Sequence, residues 1–277
     1  MKKNILSAWL TAVLFVSCTA DTDRLEPSSG EQDGLIPVEL FNEISQVAVT
    51  RVNDEGFCDG DAVGIYVVNY ENGAPGQLLV EGNQGDNVRY TYDEANMKWV
   101  PESPVYFKDK KTPVDIYGYY PYGVPESVEA YSFEVQKDQS TEAANGQLGG
   151  YEASDFLWGK AGDIAPTSSR IPVKFQHRMA GVLVTLIEGT GFEAGEYAGL
   201  DKAVLVTNTV RTATIDLSTG EVTPTGDVPA TGTVPYSRNG EFRAVVVPQS
   251  VAASTPLFSI TVGGIPYVFR KDEAFTY

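Results

Sequence analysis

Residues 113–120 read PVDIYGYY, and this stretch carries the pattern that decides the fold. Valine, isoleucine and tyrosine are residues that favour β-strands. Successive side chains of a strand point to opposite faces, so Ile116, Gly118 and Tyr120 share one face while Tyr117 and Tyr119 share the other. Large side chains therefore occur on both faces. This arrangement predicts that most of the tyrosine rings fill the faces of a sheet.

Runs of the same kind continue from Leu35 onward, separated by Gly, Pro, Asn and Asp, with hardly any helical periodicity. The segments DLSTG (216–220) and VGGI (262–265) are typical of hairpin turns, because glycine supplies the positive φ that such turns need. The chain is therefore predicted to be all-β. The predicted strands are 36–44, 62–70, 88–92, 99–107, 113–120, 131–135, 155–160, 171–187 with a break, 203–209, 212–217, 221–224, 232–235, 241–247, 257–262 and 265–269.

The number of predicted strands favours two β-sandwiches in series over one barrel. A glycine-rich, acidic stretch at 189–199 is the candidate boundary between them. The prediction is an N-terminal sandwich over 35–190 and a C-terminal sandwich over 191–277. The alternative is that the second sandwich has an incomplete set of strands. Residues 19–34 hold Asp, Glu, Ser, Gly and Gln with almost nothing apolar, which predicts a flexible tether.

The first eighteen residues have the pattern of a bacterial lipoprotein signal. Lys2 and Lys3 precede an apolar run over 5–16, which is too short to span a bilayer, and the run FVSC at 15–18 resembles a lipobox with Phe where Leu is usual. Processing would leave Cys18 as the acylated first residue of the mature protein. The alternative is an ordinary secretory signal cut nearby, with Cys18 incidental.

The composition excludes some classes of function. The formal net charge is −17, a field that repels nucleic acid, so a nucleic-acid partner is excluded on electrostatic grounds. No internal disulfide is possible if Cys18 is lipidated, because Cys58 is the one other cysteine, and we expect Cys58 to be a small apolar filler. No later apolar run is long enough for a transmembrane helix, so attachment to a membrane would rest on the lipid.

No catalytic or metal-binding constellation stands out. His177 is the one histidine, on a predicted strand with apolar neighbours, and we expect it to have a structural, hydrogen-bonded role. Asp59 and Asp61 flank Gly60 but lack the later ligands of a calcium loop, so this segment is predicted to be a turn. A close pair among the 37 acidic residues remains open as weak evidence for an enzyme. We predict no enzymatic activity, no metal and no cofactor.

Several short motifs occur in an order typical of one family. They are VTR at 49–51, FCDGD at 57–61, VGIY at 63–66, WVP at 99–101, PVDIY at 113–117 leading to YPY at 120–122, SDFLWG at 154–159, and FQHRM at 175–179. In this order and spacing they resemble the fimbrillin family of Bacteroidales, which are lipoprotein pilins and pilus-associated proteins. The resemblance covers most of 35–187 and is weaker beyond.

The resemblance implies two transthyretin-like Greek-key β-sandwich domains, transport to the outer membrane as a lipoprotein, and assembly into a pilus by strand exchange. In that family an arginine-specific or trypsin-like protease removes the lipid and the first strand, leaving a groove for a neighbouring subunit's strand. Here the removable strand is 36–44, with Ile36, Val38, Leu40 and Ile44 as its apolar side chains, and the predicted cut lies between Arg51 and Val52. The alternatives are that Arg51 is a plain surface residue, or that the cut falls at Arg24.

The implied partners are other pilin subunits, the maturation protease, the outer membrane through the lipid, and a host or bacterial surface ligand. Family members usually carry further C-terminal sequence that supplies the donor strand, whereas this sequence stops at Tyr277. We therefore expect a tip or accessory subunit. The alternative is a non-polymerising, glycan-binding surface lipoprotein with Trp99, Trp158 and Tyr119 as stacking platforms. Such a protein would keep its first strand permanently in the core sheet.

Overall fold

Strands dominate the residues that the computed structural model describes, which are 34–44, 56–144, 147–193 and 195–277. Of these, residues 35–277 belong to one compact unit. The all-β prediction is confirmed. In the described part of the chain no helix has the length and apolar character needed to cross a membrane.

The strands are short and follow one another closely along the chain. Their bounds are β1 (Leu40–Ile44), β2 (Ala62–Glu71), β3 (Ala74–Pro75), β4 (Gly85–Asp93), β5 (Lys98–Pro101), β6 (Val114–Tyr120), β7 (Tyr131–Glu134), β8 (Leu157–Ile164), β9 (Ile171–His177), β10 (Ala180–Thr185), β11 (Lys202–Val206), β12 (Thr212–Asp216), β13 (Glu221–Thr225), β14 (Tyr236–Arg238), β15 (Glu241–Val246), β16 (Ser250–Val251), β17 (Pro256–Val262), β18 (Ile265–Arg270) and β19 (Phe275–Thr276). Single 3₁₀ turns occur at Glu152–Ser154 and Tyr197–Gly199.

The largest sheet has the strand order β1-β9-β8-β6-β2-β4-β5, with β3 paired to β2. Its strands are antiparallel except that β1 runs parallel to β9. Every residue of β6 is buried, which agrees with the prediction from 113–120 that side chains fill both faces. Gly118 is the one residue of β6 without a side chain. A Cβ at this position would lie 2.9 Å from the ring of Phe175 on β9, which is too close for a real contact.

The two faces of this sheet belong to two separate cores. On β2, Ile65 and Val67 join one cluster, while Tyr66 and Val68 join the other. The alternation of side chains along a strand produces this separation. A sheet whose two faces are both apolar must be covered on both sides.

Strands from the second half of the chain cover one of these faces. Ile215 and Leu217 lie in the same core as Tyr66 and Tyr119, and β12 pairs with β7 through Ala213 and Phe133. Hydrogen bonds and a shared core thus link residues on the two sides of the predicted boundary at 190/191. The division of the chain into domains at that point stays a prediction.

The remaining strands form two small sheets with a core between them, and one short pair. The sheets have the orders β10-β15-β14 and β11-β17-β18, and β16 pairs with β19. Val182, Val206, Ala244 and Val246 make up the buried cluster that these sheets share. The break predicted within 171–187 falls at Arg178 and Met179, between β9 and β10.

The Gln139 side chain provides the hydrogen bonds that a neighbouring strand would otherwise make to one buried backbone position. Its amide nitrogen donates to the Val245 carbonyl oxygen at 2.7 Å, and its amide oxygen accepts from the Val245 N–H at 2.8 Å. The residue is 0% exposed. The amide therefore satisfies both polar groups of a buried backbone position, which would be costly to leave unpaired.

We expect Gln139→Ala to lower the free energy of unfolding by about 2–4 kcal/mol, because two buried backbone groups lose their partner. Urea denaturation measures the change. Gln77→Ala is the control, since Gln77 is exposed, and it should shift the free energy by less than about 0.5 kcal/mol. Equal effects of the two substitutions would contradict this account of Gln139.

An ion pair between the buried Asp115 and the exposed Lys160 joins β6 to β8. The Lys160 Nζ lies 2.7 Å from Asp115 Oδ2, and the Asp163 N–H donates to Asp115 Oδ1 at 2.9 Å. Burial raises the pKa of Asp115, but the bonds from Lys160 and Asp163 outweigh it, so this pKa lies below its usual range. The stability that the carboxylate contributes is therefore present above its unfolded pKa, about 3.9, and is lost as the pH falls through the lower folded value.

We expect Asp115→Asn to destabilise the protein by about 1–3 kcal/mol at pH 7 and by progressively less below about pH 4. The reason is that the wild-type carboxylate itself becomes protonated at low pH. Unfolding curves in urea between pH 2.5 and 7 test this. Asp272→Asn, at an exposed site, should leave the free energy nearly unchanged throughout. A pH-independent loss in Asp115→Asn would refute the electrostatic explanation.

Candidate functional site: the groove of the first strand

The first segment of the described chain pairs with two different parts of the fold. Residues before β1 lie antiparallel to the stretch after β5: the Val38 N–H donates to the Val105 carbonyl at 2.8 Å, and the Phe107 N–H donates to the Ile36 carbonyl at 2.9 Å. β1 itself then lies parallel to β9. A single extended segment thus bridges two regions that are distant in sequence.

The pairing with β9 places β1 at the edge of the largest sheet. The register runs from Leu40 opposite Ile171 to Ile44 opposite Phe175, and the Ile171 N–H donates to the Glu39 carbonyl at 2.8 Å. β8 pairs with the other side of β9. If this segment were removed, one edge of β9 would therefore lose its hydrogen-bond partners.

Alternate side chains of the segment enter the core. Val38 and Leu40 are 2% and 3% exposed, and Ile36 packs against the same cluster while partly buried. Each fully buried side chain of this size is worth about 1.5–3 kcal/mol. The Tyr90 hydroxyl also donates to the Val38 carbonyl at 3.3 Å. The segment covers a buried cluster that includes Tyr90, Phe107 and Phe175, and it lies between the edge of β9 and residues 105–107. We call this apolar surface the first-strand groove.

The sequence model of the fimbrillin-like family matches residues 50–277. The chain belongs to the fimbrillin-like family. This result confirms the resemblance drawn from the order of motifs between residues 49 and 179. Among curated proteins, none has a sequence that matches this chain.

Two solved structures share the fold of this fimbrillin-like chain. One is a proposed cell adhesion protein from Bacteroides uniformis, with 19% identity and a TM-score of 0.61, covering 88% of this chain and 89% of that one. The other is a proposed cell adhesion protein from Bacteroides ovatus, with 13% identity and a TM-score of 0.62, covering 88% and 90%. At these identities the likeness shows a common fold.

The fimbrillin-like structure brings three of the predicted groove residues together and leaves other predictions untested. Ile36, Val38 and Leu40 lie on one core. The backbone of Ile44 pairs with Phe175, while its side chain lies outside the described part. The predicted cleavage site at Arg51 and Val52, the lipidation site Cys18 and the alternative cut at Arg24 all lie outside the described residues and stay predictions.

The rings proposed as glycan platforms are mainly structural. Trp99 is 5% exposed and its ring centroid lies 4.9 Å from that of Phe57, while Tyr119 is 1% exposed. Trp158 is half-buried: its Nε1 donates to the Leu217 carbonyl at 2.8 Å, and the Arg178 guanidinium lies 4.8 Å from the ring centroid. Trp99 and Tyr119 therefore present no free ring face to a sugar, because the cores of the two sheet faces enclose them.

His177 and Asp61 have structural surroundings. His177 Nδ1 lies 2.9 Å from Asp155 Oδ1, and both side chains are largely buried. Asp61 Oδ2 accepts from the Cys58 N–H at 2.8 Å and its Oδ1 accepts from the Tyr120 hydroxyl at 3.2 Å, which makes the segment a turn. Burial raises the pKa of Asp61 despite these two bonds. The described residues contain no group of three or more His, Cys, Asp or Glu side chains placed to hold a metal ion.

One wall of the groove does not follow from the sequence pattern. The pattern predicts one strand over 99–107, whereas β5 ends at Pro101 and the pairing with the first segment involves Val105 and Phe107. Pro101 and Pro104 were the available signal, because proline interrupts the regular hydrogen bonding of a strand. The parallel pairing with β9 had no local signal at all.

We expect Leu40→Ala to lower the free energy of unfolding of the intact chain by about 2–4 kcal/mol, since it removes a buried side chain and leaves a cavity. Glu39→Ala is the matched control, because Glu39 is the exposed neighbour on the same segment and its bond to Ile171 uses the backbone. Urea denaturation compares the two. If Leu40→Ala behaved like Glu39→Ala, the segment would not be part of the core.

Proposed function

We propose that this fimbrillin-like chain is a structural, adhesive subunit of a surface pilus that assembles by donor-strand exchange. In this proposal it is exported as a lipoprotein acylated at Cys18, reaches the outer membrane, and is cut between Arg51 and Val52. The observation that carries the proposal is the position of the first segment. It is an edge element with buried alternate side chains, and it lies near the start of the chain, upstream of the proposed cut.

Covalent attachment explains why cleavage would act as the trigger. While the segment belongs to the same chain, it occupies the groove at an effective concentration on the order of mM, so a strand from another subunit competes poorly. A cut after Arg51 would make the segment a separate peptide that dissociates and is diluted. The edge of β9 and the trench beneath Val38 and Leu40 would then accept a strand from a neighbouring subunit.

The family and the fold support the adhesive part of the proposal. The fimbrillin-like match extends over 50–277 and thus begins two residues before the proposed cut. The two structures with the same fold are proposed cell adhesion proteins. The proposed partners are other pilin subunits, the protease that makes the cut, the outer membrane through the lipid of the precursor, and a surface ligand.

We expect limited trypsin treatment of the purified protein to cut after Arg51, and the product to form oligomers that survive detergent and dissociate on boiling. Such oligomers would mean that a strand of another chain fills the first-strand groove after the cut. N-terminal sequencing of the product and denaturing gels of unboiled samples provide the measurement. Capture of a partner pilin's C-terminal peptide by the cut chain is the equivalent result if this chain donates no strand itself.

Arg51→Ala should abolish both the cut and the assembly, while Arg24→Ala, in the predicted tether, should leave both intact. If the protein resists cleavage at Arg51 and stays monomeric, the proposal is wrong, and a permanently anchored surface lipoprotein becomes the better description. A cut at Arg51 with neither oligomers nor peptide capture would reject strand exchange while retaining the maturation site.

A further inference from the structure

An apolar cleft of about 530 Å³ lies between β10 and the sheet β11-β17-β18. Its walls are aliphatic and aromatic side chains with few polar atoms. One side is formed by residues 183–187, and the rest includes Phe192, Tyr197, Tyr267 and Phe269. Several of these side chains remain well exposed, including Tyr267 and Phe269 at 48% each. An exposed apolar surface of this kind indicates an interaction site.

The cleft follows the edge of β10 rather than one of its faces. Leu183 and Val184 point to opposite faces of the strand, yet both line the cleft. β15 pairs with one edge of β10, and no described strand pairs with the other. Unpaired backbone groups beside apolar side chains form a template for an added strand.

This edge continues the first-strand groove. β9 and β10 are separated by Arg178 and Met179 only. At the junction the Arg178 N–H donates to the Phe156 carbonyl at 2.8 Å, so the side of the chain next to β8 is still paired. On the opposite side, the edge of β9 that pairs with β1 therefore continues into the edge of β10 with which no described strand pairs. Each further residue of an added strand would advance about 3.3 Å along it.

The register gives the length of strand required. β1 pairs with β9 in parallel as far as Ile44 opposite Phe175. A strand in the same register would reach Ala180 five residues later and Thr185 ten residues later. The chain that leads from β10 to β11 carries exposed Glu188, Glu193 and Glu196 beside the cleft-lining Phe192 and Tyr197. A strand that also carries a basic residue would complement this charge.

We propose that the donor strand of a neighbouring pilus subunit extends beyond the first-strand groove, pairs with the free edge of β10 and fills the apolar cleft. This inference rests on the proposed function and specifies its partner. The donor is an extended segment of about nineteen residues, from the position of Ile36 to the position opposite Thr185, with apolar side chains at alternate positions. A donor that matched only Ile36, Val38 and Leu40 would leave the cleft exposed.

Peptide exchange into the trypsin-cut protein tests this proposal. The probes are fluorescently labelled peptides. One has the sequence of residues 36–44 of this chain, and the second continues it by ten residues with valine at alternate positions, so that in the register of β1 it reaches the position opposite Thr185. A third peptide has 36–44 followed by a Gly-Ser tail of equal length. The measurement is fluorescence anisotropy on the wild type, Phe269→Ser and Val268→Ser. Val268 is the matched control because it is 50% exposed on the same strand but does not line the cleft.

We expect the peptide with the valine extension to bind the wild type and Val268→Ser about tenfold more tightly, or better, than the other two peptides. In Phe269→Ser this advantage should be lost while binding of 36–44 is unchanged. Since both substituted side chains are half exposed, both variants should keep the wild-type melting temperature. Equal binding of all three peptides would overturn the extended donor strand and leave strand exchange standing. Failure of every peptide to bind would overturn strand exchange, and the extended donor with it.

Discussion

Every residue of β6 is buried, so the sheet that contains this strand must be covered on both sides. On one side the cover includes Val38 and the rings of Phe57 and Phe107; on the other it includes residues as distant as Ile215 and Val245. The sheet of β6 therefore carries two of the three cores in the described part of the chain, while the third lies between the sheets of β10 and β11. Because two cores depend on the same sheet, neither of their covering layers could be lost without exposing large apolar side chains.

The edge of that sheet has a different role from its centre. β9 has a partner on its outer side only because a segment from far upstream lies there, whereas no strand in the described part of the chain pairs with the outer side of β10. An edge of this kind is a liability in an isolated soluble protein, and proteins normally shield it. In a subunit that joins others through strands, the same edge is the binding site. The proposed pilus assembly gives a physical reason for an apolar edge that stability alone would not favour.

Polar groups inside the fold act mainly as substitutes for missing strand partners. Gln139 satisfies both backbone groups of Val245, and Gln249 does the same for Val210, accepting from its N–H at 2.8 Å and donating to its carbonyl at 3.1 Å. The buried carboxylates of Asp61 and Asp115 bond to backbone N–H groups and side chains nearby. These side chains bond the irregular segments of the chain to neighbouring backbone groups, so their role is structural.

Much of the local structure could be predicted from the sequence. The period of two in PVDIYGYY, the alternation of Ile36, Val38 and Leu40, and the glycine turns depend on neighbours in the chain, so the strands and their buried faces followed from the residues alone. The parallel pairing of β1 with β9, the pairing of β7 with β12 and the cleft beside β10 could not. A strand's own sequence fixes which of its faces is apolar but not which distant edge it meets, since the backbone hydrogen bonds that join strands are the same for every residue except proline. Tertiary structure decided those partners by covering both faces of β6 at once, and it thereby determined which strand edge has no partner among the described strands.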